Sequence, residues 1–148
     1  MNLRFINHLN LIEINIVMPS IPQSFYGIIE GLVYYSESDN GYAVQALEST
    51  SLQQVPSEIA GKHDVDIAVI KTVDADLFFQ HIINAADPND AVLVANAKKT
   101  AALHQFLKDN LSDITVYRVE SGVRIPIYIV GILQEHFLIA ITTTSVET

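Results

Sequence analysis

The chain has 148 residues and no cysteine, which excludes a disulfide framework, a thiolate nucleophile and a metal site held by cysteine. Seventeen acidic residues against eight lysines and arginines give a formal net charge of −9, which argues against direct nucleic-acid binding, because phosphate contacts need clustered basic residues. The length predicts one domain with a core of its own, the lack of cysteine fits a cytoplasmic location, and the charge suits a basic partner.

The first seventeen residues differ in character from the rest of the chain. Their two apolar patches, 3–6 and 11–17, are short and interrupted by polar residues. They fall well below the ~20 apolar residues of a membrane span, and they make a poor signal-peptide core. We interpret residues 1–17 as a disordered extension or the result of a misplaced start codon, and residues 18–148 as the domain. No membrane association is expected.

After the extension, the pattern predicts a helix, an acidic loop and a strand. The helix runs from a Ser20 cap to about Gly31, with apolar residues at helical spacing. The acidic loop Ser36-Glu37-Ser38-Asp39 follows. Asp39-Asn40-Gly41 is typical of a turn, and residues 42–47 are typical of a strand.

The middle of the chain predicts a polar connection, a second strand and two helices. Residues 48–62, which include Pro56 and Gly61, favour a connection with one helical turn. Residues 67–73 are typical of a strand, and Asp74 or Asp76 can cap the helix that follows. That helix is broken at residues 85–90. A longer helix is predicted from about Ala91 to Leu111, with an apolar stripe of Val94, Ala97, Ala101, Ala102, Phe106, Leu107 and Leu111.

The last third of the chain is rich in strands. Residues 115–119, 123–133 and 137–146 predict three strands joined by short turns, which favours an antiparallel meander. Pro126 lacks an N–H donor and therefore predicts a sheet edge or a bulge. The order of elements predicts an α+β fold, with helices against one or both faces of a mainly antiparallel sheet.

Several short motifs, in order and at their spacing, resemble the nuclease A inhibitor family from about Pro19 to Thr148. They are the first helix into Gly31-Leu32, Ser36-Glu37-Ser38, Val73-Asp74 with Phe78-Phe79, Lys108-Asp109-Asn110-Leu111, Val116-Tyr117-Arg118, Tyr128-Ile129-Val130-Gly131 and the closing Val146-Glu147-Thr148. The resemblance implies a three-layer α/β/α sandwich similar to pathogenesis-related-1 proteins. It also implies an inhibitor of a sugar-nonspecific, magnesium-dependent nuclease.

The resemblance also implies which residues meet the partner. Glu37 and Thr148 match the family's acidic-loop glutamate and C-terminal threonine, which approach the nuclease's magnesium and the arginines around it. Magnesium is a hard cation that takes oxygen ligands, and arginine grips a carboxylate bidentately. Which of the two residues meets the metal stays open. Around them lie four neighbours that we assign to the same partner-binding surface: Ser36, Ser38, Asp39 and Glu147.

The expected partner is a nonspecific endonuclease with a basic active site, bound by a monomer of this chain as a 1:1 heterodimer. The chain itself needs no cofactor and no metal of its own. One departure from the family pattern concerns the segment after the Phe-Phe helix, which holds only Asp87-Pro88-Asn89-Asp90 instead of a dense acidic run with an aromatic residue. A contact patch there is missing or rebuilt, which bears on the target more than on the fold.

Two other classes of function compete with the inhibitor. An enzyme would need a convergent acid–base or metal set, but the five histidines show no metal-ligand spacing such as His-Glu-x-x-His. We therefore expect no catalytic residues. The alternative is a non-inhibitory module on the same fold that binds another protein or a small ligand, with Tyr34, Tyr35 and Tyr42 as its surface.

Overall fold

The structure, a computed structural model, describes residues 2–6, 11–15 and 19–148. Strands β1 (Asn2–Ile6) and β2 (Leu11–Asn15) form a two-stranded antiparallel sheet. The other residues of the extension predicted at 1–17 lie outside the described part of the chain. The boundary between extension and domain therefore stays a prediction.

Residues 19–148 form an α+β fold with four α-helices and seven strands. The helices are α1 (Gln23–Ile29), α2 (Val55–His63), α3 (Ala75–Asn84) and α4 (Ala91–Asn110). The strands are β3 (Val33–Tyr35), β4 (Asp39–Gly41), β5 (Ala43–Ala46), β6 (Ile70–Asp74), β7 (Ser112–Val119), β8 (Arg124–Gln134) and β9 (Phe137–Val146).

Five of these strands form one sheet in the order β5-β9-β8-β7-β6, with every neighbouring pair antiparallel. The α+β class with a mainly antiparallel sheet is therefore confirmed, as is the β7-β8-β9 meander. Strands β3 and β4 pair separately as a small hairpin, and the three residues between them are Ser36, Glu37 and Ser38.

The sheet is buried on both faces by two apolar clusters. Helices α1, α3 and α4 contribute Phe25, Phe79 and Leu107 to one cluster, which includes alternate residues of β8 such as Ile129. Helix α2 contributes to the other cluster, which includes the intervening residues of β8. Because successive strand side chains point to opposite faces, a strand covered on both sides must be apolar almost throughout. This explains the run of Ile, Val and Tyr in β8.

The segment 48–62, predicted to be a polar connection with one helical turn, instead contains most of helix α2 (Val55–His63). It is a nine-residue helix with a proline in its first turn, where proline costs no hydrogen bond. Val55 and Ile59, four residues apart, are fully buried against the sheet. This tertiary burial stabilises a helix whose other residues are mostly polar, so the sequence pattern alone gave little sign of it.

Two further predictions about the elements are wrong, and a third holds in part. Helix α1 begins at Gln23 after Pro22, and the structure shows no side-chain cap there. The Asp39–Gly41 segment is strand β4, and the turn falls at residues 36–38 instead. Pro126 lies at a local edge of the sheet, as predicted, because the β7–β8 pairs extend only to Ile127 and no β7 residue pairs with Pro126. The predicted bulge is not found there, because the register shift of the β8–β9 pairing lies between Ile132 and Gln134.

The boundaries of α3 and α4 follow the prediction closely, but the buried face of α4 does not. Asp74 caps α3 by accepting a hydrogen bond from the backbone N–H of Leu77 (3.0 Å), which resolves the choice between Asp74 and Asp76. The buried residues of α4 are Asn96, Thr100, Leu103 and Leu107. Ala101 and Ala102, which were placed on the stripe, are exposed. Asn96 and Thr100 are polar, so the spacing of apolar residues in the sequence did not reveal which face of α4 is buried.

The Glu58 side chain joins α2 to the segment that follows β5. Its carboxylate accepts hydrogen bonds from the backbone N–H groups of Glu48 (3.0 Å) and Ser49 (2.7 Å) and from the Ser49 hydroxyl, and it pairs with Lys62 (3.1 Å). Burial raises the pKa of Glu58, but the hydrogen bonds and the Lys62 partner outweigh burial and lower that pKa from 4.5 to about 2.

This arrangement makes the stability of the domain sensitive to acid. Because the folded-state pKa of Glu58 lies below the unfolded value, its contribution is complete above pH 4.5 and is lost as the pH falls toward 2. We expect Glu58→Gln to lower the free energy of unfolding at neutral pH by about 1–3 kcal/mol, measured by urea denaturation. The difference from the wild type should close in acid. Glu48→Gln, at an exposed side chain, is the control, and a difference independent of pH would contradict this role.

Candidate functional site

The loop between β3 and β4 lies against the end of β9. The Ser36 Oγ accepts a hydrogen bond from the backbone N–H of Val146 (2.9 Å), and the backbone N–H of Glu37 donates to the Val146 carbonyl (3.2 Å). The last strand of the sheet is thus held by the acidic loop, which is about 110 residues away in the sequence.

The same contact brings Glu37 and Thr148 together. The Glu37 carboxylate accepts from the Thr148 backbone N–H (2.8 Å) and from the Thr148 hydroxyl (2.8 Å). Both residues are exposed. We call Glu37 and Thr148 the acidic tip, after the Glu37 carboxylate that binds both the N–H and the hydroxyl of Thr148.

The Glu147 side chain, unlike those of Glu37 and Thr148, is bound to the central sheet. Both of its carboxylate oxygens accept from the Arg118 Nη2 (2.9 and 2.8 Å), one also accepts from the Ser145 hydroxyl (2.7 Å), and its backbone N–H donates to the Val123 carbonyl (2.9 Å). The hydrogen bond from Ser145 and the charge of Arg118 lower the pKa of Glu147. Its side chain therefore anchors the C-terminal segment to β7. Sequence reasoning missed Arg118 as the partner of this anchor.

The other predicted residues shape the loop. Ser36 donates its hydroxyl to the Ser38 carbonyl (3.1 Å), and the Ser38 hydroxyl accepts from the side-chain amide of Asn40 (2.6 Å). Asp39 is exposed and pairs with Tyr35 in the β3–β4 hairpin. The structure thus places all six predicted residues near one another. Four of them are exposed, namely Glu37, Asp39, Glu147 and Thr148, and of these four Glu147 is the one bound to Arg118.

Asn96 of α4 is a second residue that sequence reasoning missed. Its side chain is buried, accepts from the backbone N–H of Val33 (3.0 Å) and donates to the Val33 carbonyl (2.8 Å). These two bonds fix the start of β3, and β3 leads directly into the acidic loop. An asparagine in the interior of a helix, in line with buried apolar residues, is the signal that could have identified it, since a buried amide needs partners.

We expect Asn96→Leu to destabilise the domain by about 1–3 kcal/mol, because it leaves both backbone groups of Val33 without partners. Urea denaturation monitored by circular dichroism measures this change. Asn110→Leu, at the exposed end of the same helix, is the matched control and should change stability little. Equal stability of the two variants would contradict the role given to Asn96.

A groove of about 470 Å³ opens beside the acidic tip. One wall is formed by Glu37, Thr148 and their neighbours, and the other by side chains of α3 and α4 that include Ile82, Leu93 and Ala97. No sequence pattern predicted this groove, because its walls come from three separate parts of the chain.

Two of the histidines take part in packing. His63 hydrogen-bonds to Tyr128 (2.7 Å) on the α2 face of the sheet, whereas His104 pairs with Asp76 (2.9 Å) and stacks on Phe79 within the other cluster. Within residues 19–148, no three or more metal-ligating side chains gather. In the same part of the chain, no helix has the length and apolar character needed to cross a bilayer.

Of the three tyrosines predicted to form an interaction surface, two are packed inside the domain. Tyr34 stacks on Phe78, with 6.1 Å between the ring centres and an angle of 1°. Burial raises the pKa of Tyr42, whose hydroxyl is enclosed without a hydrogen-bond partner among the described residues. Tyr35 alone of the three is exposed, with 39 % of its surface accessible, and it lines the groove together with Tyr34.

The fold and this site define an α+β protein that presents carboxylate and hydroxyl groups at one end of its sheet. The family model for nuclease A inhibitor-like proteins matches residues 20–148, and the chain belongs to this family. The resemblance read from the sequence is therefore confirmed over nearly the whole chain. No curated protein shows significant similarity to it.

Proposed function

We propose that this chain is a stoichiometric inhibitor of a sugar-nonspecific, magnesium-dependent nuclease. The observation that carries the proposal is the hydrogen-bonded contact of Glu37 with Thr148. Through it, we propose, the Glu37 carboxylate and the terminal carboxylate that the family places on its C-terminal threonine act as one unit. Family membership supports it independently. We further propose that the inhibitor is a cytoplasmic monomer that forms a 1:1 heterodimer, and that its fold is the three-layer sandwich of pathogenesis-related-1 proteins.

Inhibition would follow from occlusion and phosphate mimicry. A nuclease active site must be basic and must hold magnesium in order to bind a phosphodiester. A carboxylate of the acidic tip, directed at the metal or its water shell, takes the place of a phosphate oxygen, and the other carboxylate meets an arginine. Either Glu37 or Thr148 can take either part. The metal belongs to the nuclease, and the inhibitor has no chemistry of its own.

The hydrogen bonds within the acidic tip should raise the affinity for the partner by preorganising the tip. The Glu37–Thr148 contact and the Arg118–Glu147 ion pair fix the loop and the C-terminal segment before the partner arrives. Less conformational freedom is then lost on binding, so more of the contact energy appears as affinity. The acidic net charge of −9 should speed association and make it sensitive to salt.

The direct test combines this purified chain with purified magnesium-dependent, sugar-nonspecific nucleases, and with the nuclease that it captures from its native lysate. We expect cleavage of both DNA and RNA to stop at a molar ratio near one, with a 1:1 complex in light scattering. Added magnesium should not restore cleavage, which separates inhibition from metal depletion. Full nuclease activity in the presence of excess chain would overturn the proposal.

The groove is the observation that favours the alternative, a module that binds a small ligand or another protein without inhibition. Its volume of about 470 Å³ lies within the range of small-molecule sites, roughly 300–1,000 Å³. Thermal stabilisation by a small molecule, in a chain that leaves every nuclease active, would support the alternative.

A further inference from the structure

We propose that the hairpin of β1 and β2 folds back onto the domain of the same chain and covers an apolar patch there. The patch surrounds the point where the chain enters the domain, and we call it the entry patch. Five residues that line one open groove form it: Pro19, Ile21, Tyr26, Ala46 and Phe137. The inference goes beyond nuclease inhibition, and it gives a folded role to the extension that was predicted to be disordered.

The register of the hairpin assigns most of its apolar residues to one face. Leu3 pairs with Ile14, and Phe5 pairs with Ile12. Residues that pair directly share a face, and successive pairs alternate between the two faces. The other face is mainly polar and holds the alternate pairs Asn2–Asn15, Arg4–Glu13 and Ile6–Leu11.

A hairpin of this kind needs a second surface against its apolar face. It consists of two five-residue strands, and an isolated two-stranded hairpin is marginally stable at best in water. Water contact with a face of leucine, phenylalanine and isoleucine is unfavourable. The hairpin should therefore form stably only where an apolar surface of another element covers that face.

The short linker limits which surface this is. Three residues, 16–18, separate Asn15 at the end of β2 from Pro19, and such a stretch spans at most about 14 Å. Pro19 lines the same groove as Phe137, where β9 begins, and the ten residues of β9 cover about 30 Å toward the acidic tip. The attached end of the hairpin thus lies beside the entry patch. Tethering also favours its own domain over a second copy, because it raises the effective concentration.

The entry patch offers the apolar surface that the hairpin needs. Tyr26 is 44 % exposed, and Pro19 and Ala46 are also exposed. Ile21 and Phe137 are only partly buried, although both pack against the apolar cluster under α1, α3 and α4. Ala46 ends β5, which is an edge strand of the sheet. The hairpin would extend the cluster and shield an edge that otherwise invites pairing with other chains.

The first experiment uses the absence of tryptophan from the chain. Tyr26→Trp places a single fluorescent reporter in the entry patch of the full chain. In this background, Phe5→Ser with Ile14→Ser removes apolar residues from the covering face, and Asn2→Ser with Asn15→Ser changes the other face as a matched control. We expect acrylamide quenching to rise about two-fold in the first variant only, because water then reaches the patch. Equal quenching in both variants would overturn the proposal.

The second experiment leaves the entry patch unchanged. In the otherwise native chain, Phe5→Ser with Ile14→Ser should lower the unfolding midpoint by about 4 °C, and the control pair should not. Equal midpoints for the two variants would contradict the docking. Light scattering of the native chain should give the mass of one copy, whereas a doubled mass would replace the proposal by hairpins exchanged between two copies. None of these readouts needs a nuclease, so their outcome is separate from that of the proposed function.

Discussion

Glu37→Ala is expected to weaken nuclease inhibition by roughly 30-fold to several-thousand-fold. Removing one partner of a buried interfacial charge pair costs about 2–5 kcal/mol, and each ~1.4 kcal/mol is a factor of ten in affinity. In this chain the substitution has a second effect, because the carboxylate also holds the N–H and hydroxyl of Thr148. One change should therefore remove an anionic group and release the C-terminal residue.

A matched control separates this local effect from the general loss of charge. Glu135→Ala removes the same charge from the exposed turn between β8 and β9, at the other end of β9 from the acidic tip. It should alter association only slightly and mainly at low salt. Inhibition constants for both variants, measured at two salt concentrations, decide the matter. Equal losses for Glu37→Ala and Glu135→Ala would show that net charge acts without the tip.

Adding a short Gly-Ser-Gly extension after Thr148 is expected to weaken inhibition by a similar factor. The extension converts the terminal carboxylate into an amide and moves the charge several ångströms from the tip. It also places backbone where the basic surface of the nuclease would lie. The fold should not change, because Thr148 is exposed and makes no part of either apolar cluster.

The same extension at the N-terminus is the control and should be tolerated. A second variant, in which the Thr148 carboxylate is converted to a primary amide, removes the charge with almost no added bulk. Inhibition constants and unfolding midpoints for the three proteins distinguish a lost contact from a lost fold. Full inhibition by the C-terminally extended chain would remove Thr148 from the contact surface and leave Glu37 to be tested alone.

The elements that the sequence predicted well are those with a strong local signal. The meander of β7, β8 and β9 follows from apolar runs separated by short turns, and β9 spans the predicted residues 137–146. The long helix α4 was found from its length and spacing. Helix α2 was underestimated, because only two of its side chains are large, apolar and fully buried, and the surface that buries them is formed by distant strands.

The candidate site residues also divide into those that the sequence indicated and those that depend on contacts between distant residues. The resemblance pointed to Glu37 and Thr148 by their positions in the chain, and the structure brings the two side chains into contact. Their role toward a nuclease stays a prediction. Glu147 was placed on the contact surface by its position beside Thr148, but its carboxylate is bound to Arg118 on β7. Nothing local in the sequence announces that pairing, because the two residues are 29 positions apart.

The sequence by itself determined the family, the α+β class, the acidic character and the two residues most worth changing. These follow from composition, from local periodicity and from motifs, which are properties of short stretches of chain. The tertiary structure alone decided that the loop and the C-terminus form one tip, that Asn96 and Arg118 support it, and that a groove lies beside it. Each of these depends on contacts between residues far apart in the chain, and such contacts exist only after the sheet has fixed its register and the helices have packed upon it.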